Sequence, residues 1–298
     1  GVDVQHASLS ERGGLCHDRE YALIDPHANF INGKRDAGIH RLDASCAVQG
    51  NDVVVVIGRG ADTQTFVLGD REEHHADRTA LQQRLAHYFG EMVRLERDPA
   101  GGFPDDLAAP GPTVISTASL HEVAGWYPGL DEHDMRRRFR ANLEFDDCPA
   151  FWEDRLYGSP GSVVAFRIGE VRLLGNNPCR RCVVPTRDPS TGAEITGFQR
   201  TFAARRRETL PPWVNPARFD FFYRLAVNTR IEASETGKTI RVGDRVEISL
   251  RTTSFRPEPS PVPPLPDIAP NAPAGPAADC AVRCGGHQET RAGSQGRC

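Results

Sequence analysis

Asn176-Asn177-Pro178-Cys179-Arg180-Arg181-Cys182-Val183-Val184-Pro185-Thr186-Arg187-Asp188-Pro189-Ser190-Thr191-Gly192 is the stretch on which the reading of this chain turns. Cys179 and Cys182 stand in C-x-x-C spacing on a loop expected to leave an apolar strand at 171–174. Arg180 and Arg181 lie between them and Arg187 follows. A guanidinium beside a thiol, whose free pKa is about 8.5, favours the thiolate. A thiolate is a soft ligand for a transition metal, and the planar guanidinium grips phosphate through two parallel bonds. Three other readings compete. The pair could be half of a structural zinc site, whose other half would be Cys280 and Cys284. It could be a thioredoxin-like redox pair, although that motif opens a helix and Pro185 and Asp188-Pro189 oppose one. It could be two buried structural cysteines, which leaves the interleaved arginines unexplained.

The strand pattern extends on both sides of this segment. Residues 163–168 and 171–174 read as strands joined by a tight turn at Gly169-Glu170. Further strands are expected at 113–116 and 142–145, and residues 238–250 contain a hairpin arm around Gly243-Asp244. Ser119-Leu120-His121-Glu122 has the form of a capping box that starts a helix. Upstream, residues 1–100 read as mostly β. A short apolar run covers 20–24, the continuous β-branched run 52–57 looks like a buried strand, and 65–68 can pair with it across Gly58-Arg59-Gly60. One helix stands out: Asp77 caps it, Leu81, Leu85 and Tyr88 share a face, and Gly90 ends it. The Pro-, Gly- and Asp-rich stretch 98–112 reads as a linker.

The 298 residues carry a formal net charge of -4, with no basic excess to point to nucleic acid or an anionic membrane surface. No run approaches the roughly 20 apolar residues of a membrane span. Nine of the 23 prolines fall between Pro257 and Pro276, so 254–298 is expected to be a disordered tail. The eight cysteines are irregularly spaced, and a reduced, cytoplasmic protein is expected.

The segment from Asn177 to Gly192 closely resembles the signature of the MOSC family, to which the mitochondrial amidoxime-reducing components and their bacterial relatives belong. Three further stretches fit the family in the same order: 9–25 (L-S-E-R-G-G, then D-R-E-Y-A-L-I-D), 115–120 (I-S-T-A-S-L) and 138–143 (R-F-R-A-N-L). Together they cover about residues 1–250. The resemblance implies a mainly β (α+β) protein. An N-terminal β-barrel domain (1–100) would pack on a MOSC β-barrel with peripheral helices (113–250), and the cofactor would lie in the groove between them.

The resemblance also implies roles. Cys182 matches the position that ligates molybdenum through its thiolate, and molybdopterin would supply the other sulfurs. Arg19, Arg140 and Arg181 match positions that hold the pterin and its phosphate, with Ser116, Ser119, Arg180 and Asn142 as secondary contacts. Independently, a helix starting at Ser119 would offer free N–H groups to an anion. Strand alternation would place Arg140 and Asn142 on one face. Arg136, Arg137 and Arg138 read as solvated surface charge. Family members usually carry a Lys-Ser pair just before the position of Gly1, and Cys280, Cys284 and Cys298 lack the plant-type ferredoxin spacing.

Two functions follow from the resemblance. One is a molybdenum-dependent oxidoreductase that reduces small N-hydroxylated substrates, fed by a separate ferredoxin- or cytochrome b5-like donor. The other is a carrier of the cofactor or its sulfur without turnover, like the C-terminal part of the cofactor sulfurases, which works with a pyridoxal-phosphate-dependent desulfurase. No lysine site for pyridoxal phosphate is apparent. His121 and His133 are present, but nothing in the sequence aims either at a metal.

Overall fold

The computed structural model describes residues 3–254. Nearly all of the expected tail, with Cys280, Cys284 and Cys298, lies outside the described residues. Thirteen strands run along the described chain: β1 (His6–Ser8), β2 (Tyr21–Ile24), β3 (Ala44–Gln49), β4 (Asp52–Ile57), β5 (Gln64–Leu68), β6 (Arg94–Arg97), β7 (Val114–Ser116), β8 (Leu143–Phe145), β9 (Ser162–Ile168), β10 (Val171–Arg180), β11 (Arg224–Arg230), β12 (Thr239–Arg241) and β13 (Val246–Ser254). The α-helices are α1 (His75–Phe89), α2 (Thr117–Ala124), α3 (Glu132–Phe139) and α4 (Phe198–Glu208). The architecture is mainly β with a few helices, as expected.

A curled six-stranded sheet, in the order β13-β9-β10-β11-β7-β8, forms the larger part. Its neighbours are antiparallel except β7 and β8, which run parallel. The N-terminal part holds the three-stranded sheet β3-β4-β5 and the ribbon β2-β6. Both face one apolar cluster with Leu81 and Leu85 of α1. The β4 run Asp-Val-Val-Val-Val-Ile is half-buried rather than fully buried. Val53, Val55 and Ile57 face the core and Val54 and Val56 face outward, because helices do not cover both faces. β3, on the other edge of β4, was not expected. Its outward residues are polar or small, so the pattern is weak.

The proposed hairpin at 238–250 does not form. β12 pairs with β1, Ala7 opposite Ile240, and β13 pairs with β9. α1 begins at His75, and Asp77 sits in its first turn, accepting the amide of Val67 instead of capping. Gly90 ends the helix in the left-handed region, as read.

α4 escaped the sequence reading. Phe198, Phe202 and Arg206 recur every fourth residue and form its buried stripe. The third member is a fully buried arginine, which breaks the apolar pattern. Arg206 pairs with buried Asp154, and its guanidinium carbon lies 4.0 Å from the Phe151 ring centroid. Gly175 in β10 passes so close to the Leu156 carbonyl that a Cβ would lie 1.7 Å from that oxygen, so only glycine fits.

Removing one partner of a buried ion pair strands the other charge in a poor solvent. Arg206→Met should therefore lower the unfolding free energy by about 3–5 kcal/mol in urea titrations. Arg205→Met, on the exposed face of the same helix, should stay within about 0.5 kcal/mol of the parent.

Candidate functional site

β10 runs further than the sequence reading allowed. It continues to Arg180 and takes Cys179 into the strand, with register shifts against β11 at Gly175/Asn177 and Pro178/Arg180. Such bulges re-aim side chains near the end of a strand. Cys182 lies just beyond, half-buried, and the Val184 amide points at its sulfur at 3.4 Å. A single turn at Val184–Thr186 carries the chain to a tight loop. There the Asp188 carboxylate accepts the amides of Ser190 and Thr191 and the Thr191 hydroxyl. Burial alone would raise the pKa of Asp188, but these bonds outweigh it and hold the group ionised below its ordinary value.

Arg181 packs its guanidinium against the backbone that leaves α3. Nε donates to the Leu225 carbonyl and Nη1 to the Phe139 carbonyl, each at 2.9 Å. Nη2 is buried and has no hydrogen-bond partner. Arg140 follows Phe139 directly, so the two arginines meet around one peptide. It sits not on a strand but at the left-handed C-cap of α3, with φ 51°, and its Nε faces the Arg137 carbonyl at 3.4 Å. The expected alternation with Asn142 is therefore absent, because the strand starts only at Leu143. Asn142 uses its carboxamide oxygen to accept from the amide and hydroxyl of Thr113.

Four expected residues are engaged elsewhere. The helix at this site starts one turn earlier than read: Ser116 is the N-cap of α2 and accepts the Ser119 amide. Both serines are fully buried, and their hydroxyls bond each other. Ser119 also donates to Glu153 and accepts the Phe151 amide. The acidic group beneath this helix start is thus the protein's own Glu153. Arg180 is exposed and lies over the Phe221 ring. Arg19 stands in the left-handed region in the N-terminal part and pairs with Asp18 at 2.8 Å.

Arg138 overturns its reading as solvated charge. Its side chain is 1% exposed, and Nη1 donates to the carbonyls of Pro185 and Arg187 at 3.1 and 2.6 Å. Arg187 in turn donates to the Gly33 carbonyl at 2.5 Å. His40 meets the same carbonyl through Nε2, while its buried Nδ1 has no partner. Burial lowers the His40 pKa, and Arg140 and Arg187 add to the effect, so the ring is neutral near pH 7. No sequence signal marked His40 or Gly33.

Beside the Cys182 loop a cavity of about 370 Å³ is lined by Thr186, Glu194, Ile195, Phe198, Arg200 and Phe221, among others. A larger, open groove of about 800 Å³ lies instead at α2, with His121, Glu122, Glu132 and Cys148 in its wall. Among the described residues no three His, Cys, Asp or Glu side chains gather as a metal cluster. What the first site offers is one half-buried thiol flanked by guanidinium groups. Residues 112–247 match the family model of the MOSC domain, and that span contains Arg140, Arg181 and Cys182. The segment is similar to a MOSC domain. Over a wider stretch the chain is 24% identical to mitochondrial amidoxime-reducing component 1 of Danio rerio, across 64% of this chain and 65% of that protein. The match therefore spans a little less than two thirds of that relative. The matched span holds Cys182, while Gly33 and His40 reach its loop from outside that span.

Two measurements probe this arrangement. Burial, with Asp154 adding to it against the Ser119 hydrogen bond, pushes the Glu153 carboxyl up to about 7 from an ordinary 4.5. A raised acid holds its proton in the folded state, so its contribution to stability is present below pH 4.5 and is lost as pH rises to about 7. Glu153→Gln should therefore be more stable than the parent at pH 8, by roughly 3 kcal/mol at most, and the gap should close toward pH 4.5, read from urea midpoints. Separately, Arg138→Met should speed hydrogen exchange of the amides at 184–187 at least tenfold, while α1 amides keep their protection.

Proposed function

We propose that this chain holds a molybdenum cofactor through the Cys182 thiolate and reduces N-hydroxylated compounds, with electrons delivered by a separate protein. The observation that carries the reading is a half-buried Cys182 thiol next in sequence to Arg181, whose buried Nη2 has no hydrogen-bond partner, inside a segment that matches the MOSC domain. A buried guanidinium N–H without an acceptor is costly, and an anionic ligand relieves that cost. The donor set fits such a group: one soft sulfur for the metal, and the N–H groups of Arg181 and Arg140 for a phosphate. The likeness to an amidoxime-reducing component supports the choice of reaction.

When bound, the cofactor supplies a metal that can take up an oxygen atom and exchange two electrons. The reaction balances as R–NHOH + 2 e⁻ + 2 H⁺ → R–NH₂ + H₂O. The chain's own residues bind and orient. Cys182 anchors the group, and the Val184 amide directed at its sulfur stabilises negative charge there. Arg181, fixed by the carbonyls of Leu225 and Phe139, presents its remaining N–H to the ligand without a loss of rotamer freedom. Arg138 and Asp188 fix the loop that follows. Asn142, Ser116 and Ser119 act at one remove, through the backbone amides they hold, and Arg19 through its pair with Asp18.

The test is molybdenum and pterin content of protein made in a cofactor-producing host, for the parent, Cys182→Ala and Arg181→Met. The parent should hold metal and pterin in near-equal amounts. Cys182→Ala should lose the metal, and Arg181→Met should retain at least tenfold less pterin. Zinc without pterin in the parent overturns the reading. Stoichiometric cofactor without turnover of benzamidoxime under a reducing viologen dye favours the carrier role instead.

A further inference from the structure

The outward side of α4 carries a feature that the proposed cofactor site does not use. The inward stripe of the helix is Phe198, Phe202 and Arg206. Arg200, Ala203 and Arg207, spaced three and four residues apart, line another stripe, and both arginines are exposed. The Arg207 guanidinium lies 4.7 Å from the Phe222 ring centroid, and Arg180 lies 5.8 Å from that of Phe221. Phe221 is 38% exposed and shares the 370 Å³ cavity with Arg200 and Ala203. The two ends of the face are thus joined through adjacent phenylalanines.

Three guanidinium groups here, Arg180, Arg200 and Arg207, form no ion pair with a described residue. The nearby acids Asp220 and Glu208 are already engaged by Arg224 and Arg205. Glu194 on the cavity wall offsets one charge, so the face stays basic on a chain whose net charge is -4. An exposed ring, Phe221, and a half-buried one, Phe222, each with an arginine over it, are residue types that anchor protein interfaces. The face also adjoins the thiol: Arg180 and Cys182 are two residues apart, so their Cα atoms lie within about 7 Å.

We infer that the face formed by Arg180, Phe221, Arg200 and Arg207 is the docking surface for an acidic electron-donor protein. This rests on the reductase reading above, since that reaction consumes two electrons per turnover. Two one-electron donors are oxidised in succession at this face, and the electrons leave, with two protons from water, in the product amine and water. Opposite charge steers the encounter, and the phenylalanines supply contact once water is expelled.

Arg200→Glu/Arg207→Glu, both exposed, tests the inference against two acidic probes, a plant-type [2Fe–2S] ferredoxin and the soluble domain of a cytochrome b5. Rates are compared with those under a reducing viologen dye, which needs no docking. The expected result is a rise of at least tenfold in KM for whichever protein serves the parent, with dye-driven turnover and molybdenum content within twofold of the parent. The donor-driven rate of the parent should also fall steeply with added salt. An unchanged KM overturns the inference. So does a parent turned over by the dye but by neither protein, or a variant that loses heparin binding while keeping the donor KM. A parent with no dye-driven turnover would instead sink the reductase reading itself.

Discussion

The structure around Cys182 depends on the capture of backbone carbonyls by buried guanidinium groups. Arg138 is the centre of this arrangement. Reaching from the last turn of α3, it holds the carbonyls of Pro185 and Arg187 with one nitrogen. An arginine cannot shed its proton at any accessible pH, so once buried it must be solvated by the protein. Burial does lower its pKa, with Asp188 opposing that effect, yet the group stays charged. The loop after Cys182 cannot leave α3 without exposing an unpaired charge to an apolar surrounding. Arg187 extends the same logic to Gly33, and Arg181 to Phe139 and Leu225. Arginines in a motif that reads as anion-binding thus spend most of their donors on the chain itself. Part of that capacity, including the buried Nη2 of Arg181 and the exposed guanidinium of Arg180, remains for other partners.

Beneath this layer lies an aromatic core that fixes where the guanidinium groups can stand. Phe139, Phe198, Phe202 and Tyr223 are all fully buried, with Phe202 and Tyr223 packed edge to face at 5.0 Å. Each such side chain contributes about 1.5–3 kcal/mol by burial, and the ring pairs somewhat more. Phe139 supplies both a ring under Arg181 and the carbonyl that Arg181 holds. α3, α4 and β11 are therefore set relative to Cys182 by one continuous apolar contact.

Where sequence and structure agree, local pattern carried the information. β4, read from its continuous β-branched run, and α1, read from the shared face of Leu81, Leu85 and Tyr88, appear close to where they were read, and Gly90 closes α1 because few other residues enter the left-handed region without strain. The motif around Cys182 was legible through residue type and spacing. What was not legible is partner choice over long range. Nothing in the run Arg136-Arg137-Arg138 says that the third arginine turns inward, since that depends on carbonyls almost fifty residues later. α4 was hidden because a buried charge occupied a core position, and it is recognisable only once Asp154 is seen opposite. Ser116 and Ser119 matched the motif by type, yet a glutamate from another element claims their hydroxyl chain. β12 could not be paired from sequence at all, because its partner is at the other end of the chain.

That last pairing governs the order in which the molecule can be completed. His6 lies against Arg241 in the β1–β12 ribbon, so β1 has no partner edge until the chain has been made through β12. At ordinary rates of synthesis the interval is about 10–50 s. Throughout it β1 is an open strand edge, while β2 to β6 and α1 can already close around their own core. The ribbon then acts as a late clasp, added to the Arg187–Gly33 contact after the strands and helix of the N-terminal core can already have closed.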